Sequence, residues 1–135
     1  MHTELYKNII RAKNFIEKRY RDEIDISSIA REACVSDYHF IRTFKKIYKK
    51  TPHRYLTEKR IEKARELLGV SEQTVTDICF EVGFSSPGSF STLFTRYVGY
   101  PPAVYRMQRQ KKTLLSEKFP KKVIPNCFLI MNKTL

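Results

Sequence analysis

The stretch "DISSIAREACVSDYHFIRTFKKIYKKTPHRYL" (residues 25–56) decides the fold, because the chain contains it twice. Its second version is "TVTDICFEVGFSSPGSFSTLFTRYVGYPPAVYR" (74–106). Asp25 pairs with Thr74, Ile26 with Val75, Ile29 with Ile78, Ala30 with Cys79, Ala33 with Val82 and Cys34 with Gly83, at an offset of 49. One residue is inserted near Ser85 and Ser86. Beyond it Phe40 pairs with Phe90, Phe44 with Phe94, Pro52 with Pro102 and Tyr55 with Tyr105, at an offset of 50. One structural unit therefore occurs twice.

Each unit predicts two short helices. Ile26, Ile29, Ala30 and Ala33 follow the i, i+3, i+4, i+7 spacing of one apolar helix face, and Asp25 can cap its start. Cys34 and Val35 make the turn, and Ser36 can cap a second helix with Phe40, Phe44 and Ile47 inward. In the second unit Thr74 caps a helix with Val75, Ile78, Cys79 and Val82 on its apolar face, and Asp77 three residues on makes a variant of the capping box. Gly83 and Phe84 turn the chain. Ser86 then caps a helix whose first position is Pro87, where a missing N–H costs nothing, and Gly99 ends it. Small residues at positions 30 and 79 fit a tight crossing, the helix-turn-helix arrangement.

Three further helices are expected. One covers 3–20, with Leu5, Ile9, Ala12, Ile16 and Tyr20 on one stripe. Another opens at Thr51-Pro52 and runs to about Leu68, with Leu56, Arg60 and Ala64 on a shared side; its Glu62, Glu66, Lys59 and Lys63 face solvent. A last short one begins at Pro101-Pro102 and passes through Tyr105 and Arg106.

Lys and Arg number 26 against 14 Asp and Glu, a net charge of +12 that favours an anionic partner. Half of it lies after Met107, in seven basic residues and one acid. Three scattered cysteines, Cys34, Cys79 and Cys127, show no metal-like spacing and are expected to be small, reduced core residues. The start of the chain lacks a signal pattern, and no apolar run approaches the ~18 residues of a membrane span. The expected compartment is a reducing cytoplasm, with no membrane partner. Nothing suggests an enzyme, a cofactor or a metal site: no carboxylate pair, nucleophile constellation or phosphate-cradling loop stands out.

In a doubled helix-turn-helix with so basic a balance, the second helix of each unit is the candidate recognition helix for DNA, and helical geometry marks which residues face outward. With Phe40, Phe44 and Ile47 inward, the outer side of the first recognition helix carries Tyr38, Arg42, Lys45 and Lys49, flanked by Ile41 and Lys46. Arg42 is the expected base contact, its fork matching O6 and N7 of guanine, with Tyr38 and Ile41 beside it. Lys45, Lys46, Lys49 and Lys50 are expected at phosphates, as is Ser36; His39, nearer the core margin, is expected either to pack or to contact a phosphate. With Phe90 and Phe94 inward, the second recognition helix offers Pro87, Gly88, Ser89 and Thr92 to the DNA, and Ser86, Ser91 and Arg96 to phosphates. The empty position at Gly88 suggests that this helix approaches through backbone and hydroxyls. The first unit is expected to discriminate and the second mainly to anchor.

"RIEKARELL" (60–68), "VTDICFEVGFSSPGSFSTLF" (75–94) and "GYPPAVYR" (99–106) resemble the DNA-binding region of the AraC/XylS family of bacterial transcription regulators. Cys79 stands where that family usually has alanine. Cys34 and Lys49 stand where it commonly has glycine. The resemblance runs from about Leu5 to Arg106. It implies an all-α, homeodomain-like fold of seven helices: two helix-turn-helix lobes (about 3–50 and 74–107) joined by a long linker helix (52–68). Residues 1–107 would be the DNA-binding domain and 108–135 a basic tail outside the family pattern. The two recognition helices would enter successive major grooves of double-stranded DNA, as a monomer, with RNA polymerase as a second partner. The chain is similar to the small stand-alone members and to the excised DNA-binding part of a longer regulator.

Two other classes compete. A helical protein-interaction module would show little salt dependence and no duplex binding. A non-specific nucleic-acid or RNA binder would expose aromatic platforms, whereas the aromatics at 40, 44, 84, 90 and 94 fit a core face. The apolar "CFLIM" (127–131) is a candidate for docking on the body or pairing with another chain.

Overall fold

The computed structural model describes residues 2–118, so "CFLIM" and Cys127 lie outside the described residues. Those residues form seven α-helices and no strand: α1 (His2–Arg19), α2 (Ile26–Glu32), α3 (Asp37–Tyr48), α4 (Pro52–Val70), α5 (Val75–Glu81), α6 (Pro87–Val98) and α7 (Pro102–Lys118). The chain divides into two compact units, one ending at Arg60 and the other beginning at Ile61.

In the first unit the caps define the helices. The Asp25 carboxylate accepts from the Ser28 amide at 2.7 Å, which holds its carboxyl below the usual carboxylate range. Ser36 Oγ accepts from the His39 amide at 3.3 Å and starts α3. Ile9, Ala12 and Ile16 of α1 are fully buried, as are Phe40 and Phe44 of α3, with Ile29, Ala30 and Ala33 of α2. The Phe44 ring meets Tyr55 edge-on at 5.6 Å, and Tyr55 Oη donates to Glu17 Oε1 at 2.6 Å. That hydrogen bond holds the Glu17 carboxyl below its ordinary value. Arg60 donates from Nε to the carbonyl of Tyr20 at 2.7 Å and from Nη2 to that of Asp22 at 2.9 Å. It lies among apolar positions of α4 because its stem is half-buried while its fork serves carbonyls just past the end of α1.

The second unit repeats the plan. Thr74 Oγ1 accepts from the Asp77 amide at 3.0 Å, and Ser86 Oγ from the Ser89 amide at 3.2 Å. Pro87 occupies the start of α6 and Gly99 its end. Phe84, Phe90, Phe94 and Tyr105 form a continuous row of rings with centroids 5.2 to 5.6 Å apart. Arg106 donates to the carbonyls of Leu68 and Ser71 at 3.2 and 3.3 Å, as Arg60 does in the first unit.

Three details depart from the expectations above. The last helix is not short: α7 continues to Lys118, because no glycine or proline interrupts the chain between Ala103 and Lys118. Ile47 is half-buried rather than a full member of the core. Cys34 is exposed, whereas Cys79 is buried as expected, its thiol pushed up by that burial. The left-handed backbone that reverses the chain at Cys34 turns its side chain outward (φ 58°).

That turn separates the two repeats. The first unit has non-glycine residues in left-handed backbone at Cys34 (φ 58°) and Lys49 (φ 66°). The second has glycine at both equivalent places, Gly83 (φ 106°) and Gly99 (φ 98°). A β-carbon in this region costs roughly 1–2 kcal/mol, partly offset by the greater freedom of glycine in the unfolded chain. Cys34→Gly is therefore expected to stabilise the protein by roughly 0.5–1 kcal/mol, seen as a higher urea midpoint. A lower midpoint would show that the cysteine makes compensating contacts.

Candidate nucleic-acid interface

Two helices present outward faces of contrasting chemistry. On α3, Phe40 and Phe44 point into the core, and Tyr38, Arg42 and Lys45 are exposed on the other side; Lys49, expected on this face, is exposed just past the end of α3 in left-handed backbone. Tyr38 is 74% exposed, unusual for so large an apolar ring. Ile41 is half-buried at the margin of this face. Arg42, Lys45, Lys46 and Lys49 form no ion pair with any described residue, so their charge faces outward uncompensated.

His39 is exposed rather than set at the core margin, and with Thr43 and Lys46 it lines one wall of a trough against Leu5 and Tyr6 of α1. The trough has a volume of about 520 Å³, and Arg42 and Lys45 also border it. Lys50, expected at a phosphate, has a partner within the fold. Its ammonium is ion-paired with Glu58, which also accepts from Arg54 Nε at 3.1 Å. Burial raises the Glu58 carboxyl, but Lys50 and Arg54 more than offset this and hold it below its ordinary value. Lys50 also sits 5.6 Å from the Tyr55 ring centroid, so it belongs to the base of α4 and not to the outward face of α3.

Ser27, which periodicity did not single out, donates to Asp37 Oδ2 at 2.8 Å. This ties α2 to the first turn of α3. The contact joins residues ten apart, beyond the reach of a helical-spacing argument.

On α6, Pro87, Gly88, Ser89, Thr92, Thr95 and Arg96 are exposed, opposite the buried Phe90, Phe94 and Val98. Ser91 is half-buried, and its carbonyl accepts from Thr95 Oγ1 at 2.8 Å. Ser36 and Ser86 accept from amides as caps, which leaves each hydroxyl proton available to an outside acceptor. Arg96 brings the only charge to this face. The face of α3 is thus strongly cationic and that of α6 nearly neutral, rich in hydroxyls. Among the described residues no group of His, Cys, Asp and Glu could hold a metal ion. No described helix is long and apolar enough to cross a membrane.

Two hairpins, each burying one face of its second helix and exposing the other beyond a capped turn, define a helix-turn-helix protein. A family model described as a helix-turn-helix domain matches residues 29–108, more than half of the chain. The chain belongs to this family, in its AraC type. It is 38% identical over 95 residues to the HTH-type transcriptional activator RhaS of Escherichia coli, a match covering 70% of this chain and 34% of RhaS. The chain thus spans about a third of the length of that relative. It is also similar to the C-terminal domain of AraT, a response regulator from Geobacillus stearothermophilus. That likeness has 31% identity and a TM-score of 0.71, over 73% of this chain and 83% of the other. The DNA-binding domain of AdpA, solved in complex with a target DNA, shares the fold. Its TM-score is 0.72 at 24% identity, over 84% of this chain and 97% of that one.

Proposed function

We propose that this chain binds double-stranded DNA sequence-specifically on behalf of an AraC-type transcription regulator, with α3 and α6 each entering a major groove. The observation that carries this reading is the outward face of α3, where Arg42, Lys45 and Lys46, with Lys49 just past the end of the helix, stand without acidic partners beside an exposed Tyr38. A helical interaction module has no need to concentrate unpaired cations on the second helix of a capped hairpin.

In this reading Arg42 donates its two parallel N–H groups to guanine, and Tyr38 and Ile41 contact neighbouring bases. Lys45, Lys46, Lys49 and His39 neutralise phosphates, and the free hydroxyl protons of Ser36 and Ser86 donate to phosphate oxygens. Pro87, Gly88, Ser89 and Thr92 face the second groove, with Ser91 and Arg96 on its backbone. Residues 1–107 form the DNA-binding domain, acting as a monomer in the cytoplasm, with RNA polymerase as the second partner.

The test is selection of duplexes from a random pool, followed by a salt titration on the selected site. A selected site with two half-elements supports two-unit binding, and no enrichment refutes sequence specificity. Lys45→Ala/Lys46→Ala is expected to weaken selected and unrelated duplexes alike and to lower the slope of log K against log salt by about 2. An unchanged slope would remove both lysines from the phosphate contacts.

A further inference from the structure

We infer that Gly88 sets the depth of the interface: its missing side chain lets the first turn of α6 lie closer to DNA than a β-carbon permits. This rests on the proposed reading of α6 as a DNA-facing helix and adds the reason for one of its residues.

The chain has four glycines, and three have a reason inside the fold. Gly83 and Gly99 occupy left-handed backbone, at φ 106° and 98°. At Gly69 a β-carbon would lie 3.0 Å from Nε of Arg109 and 3.2 Å from its Nη2, so the guanidinium would have to move. Gly88 is helical, outside the left-handed region. A β-carbon there would meet only Ser86 Oγ, at 3.8 Å, which is ordinary van der Waals contact. The folded chain has room for alanine at 88, and alanine is the better helix former. What the vacant volume accommodates is therefore outside the chain.

Its direction is given by its neighbours. Gly88, Thr92 and Thr95 recur at helical spacing on the exposed side of α6. In the first repeat, the offset of 50 that pairs Phe40 with Phe90 pairs Tyr38 with Gly88. The same position thus holds a 74% exposed tyrosine in one unit and no side chain in the other. A tyrosine reaches a base edge from a distance. The short hydroxyl side chains of Ser89 and Thr92 reach one only if their helix sits deeper, and a β-carbon at 88 would hold it off.

The test compares wild type, Gly88→Ala, Gly88→Tyr and Arg42→Ala on the duplex that the wild type selects from a random pool, alongside thermal melts. Gly88→Ala is expected to melt about 2–4 °C higher and yet bind at least tenfold more weakly. Gly88→Tyr is expected to bind more weakly still. Gly88→Ala that binds as well as wild type, or melts lower, overturns the inference, the second result by showing that the fold itself needs glycine. If Arg42→Ala weakens binding while Gly88→Ala does not, the inference fails and the DNA reading stands. If the wild type selects no duplex, both fall.

Discussion

Phe94→Ala is expected to destabilise the protein by about 3–5 kcal/mol, the range for removing a fully buried aromatic ring. Phe94 has no solvent exposure and is central in the row of rings, 5.6 Å from Phe90 and edge-on to Tyr105 at 5.5 Å. Tyr105 is held from its far side by Arg65, whose Nε donates to Oη at 3.3 Å and whose guanidinium lies 5.5 Å from the ring centroid. Deleting the phenyl leaves a void that neighbours so fixed cannot fill by small shifts, which places the expected loss in the upper part of the range. A small domain has only about 5–15 kcal/mol in total. The second unit should therefore be left marginal, and α6 should lose the support that orients its outer face. The chain has no tryptophan, so urea unfolding followed by far-UV circular dichroism is the direct measurement. A loss under about 1 kcal/mol would mean that the ring row does not organise this unit.

Arg42→Ala is expected to weaken binding to the selected duplex by about 1–3 kcal/mol, roughly 5- to 150-fold, and to relax base preference at one position. Arg42 is exposed and has no acidic partner, so its removal leaves no buried group unsatisfied and should hardly change stability. Arg42→Lys separates charge from shape. It keeps the cation, and with it the salt slope, but lacks the planar fork that distinguishes guanine. Thr92→Ala should cost less than about 1 kcal/mol, since a lone hydroxyl contributes one neutral hydrogen bond. If Thr92→Ala proves the more damaging change, discrimination resides in α6 and the proposed division of labour is reversed.

Much of this architecture is legible along the chain because its signals are local. Asp25, Ser36, Thr74 and Ser86 each cap the helix that follows, within three residues of the amide they serve. Ile29, Ala30 and Ala33, and Phe90 with Phe94, are buried because helical periodicity puts them on one face. The repeat adds an internal check, since Phe40 and Phe90 are placed by the same rule twice. The residues that the structure places differently are those whose setting helical spacing does not give. Lys50 belongs to the same basic run as Lys49, but Glu58 captures it one helix later. Cys34 is small enough for a core, but a left-handed turn puts it in solvent.

The pattern of apolar residues and caps was sufficient for the number and kind of helices and for which face of each is buried, because these depend on spacings of a few residues. Three matters needed the folded chain. Arg60 and Arg106 are fixed on carbonyls 35 to 40 residues away. The cations of the basic run 45–50 divide into Lys45, Lys46 and Lys49, with no ion pair to a described residue, and Lys50, paired with Glu58. Periodicity singles out Gly88 by its place on the outer face of α6, but that it is neither in left-handed backbone nor crowded is seen only in the fold. Each depends on which groups converge in space, and convergence at such separations is decided by packing, which no local period encodes.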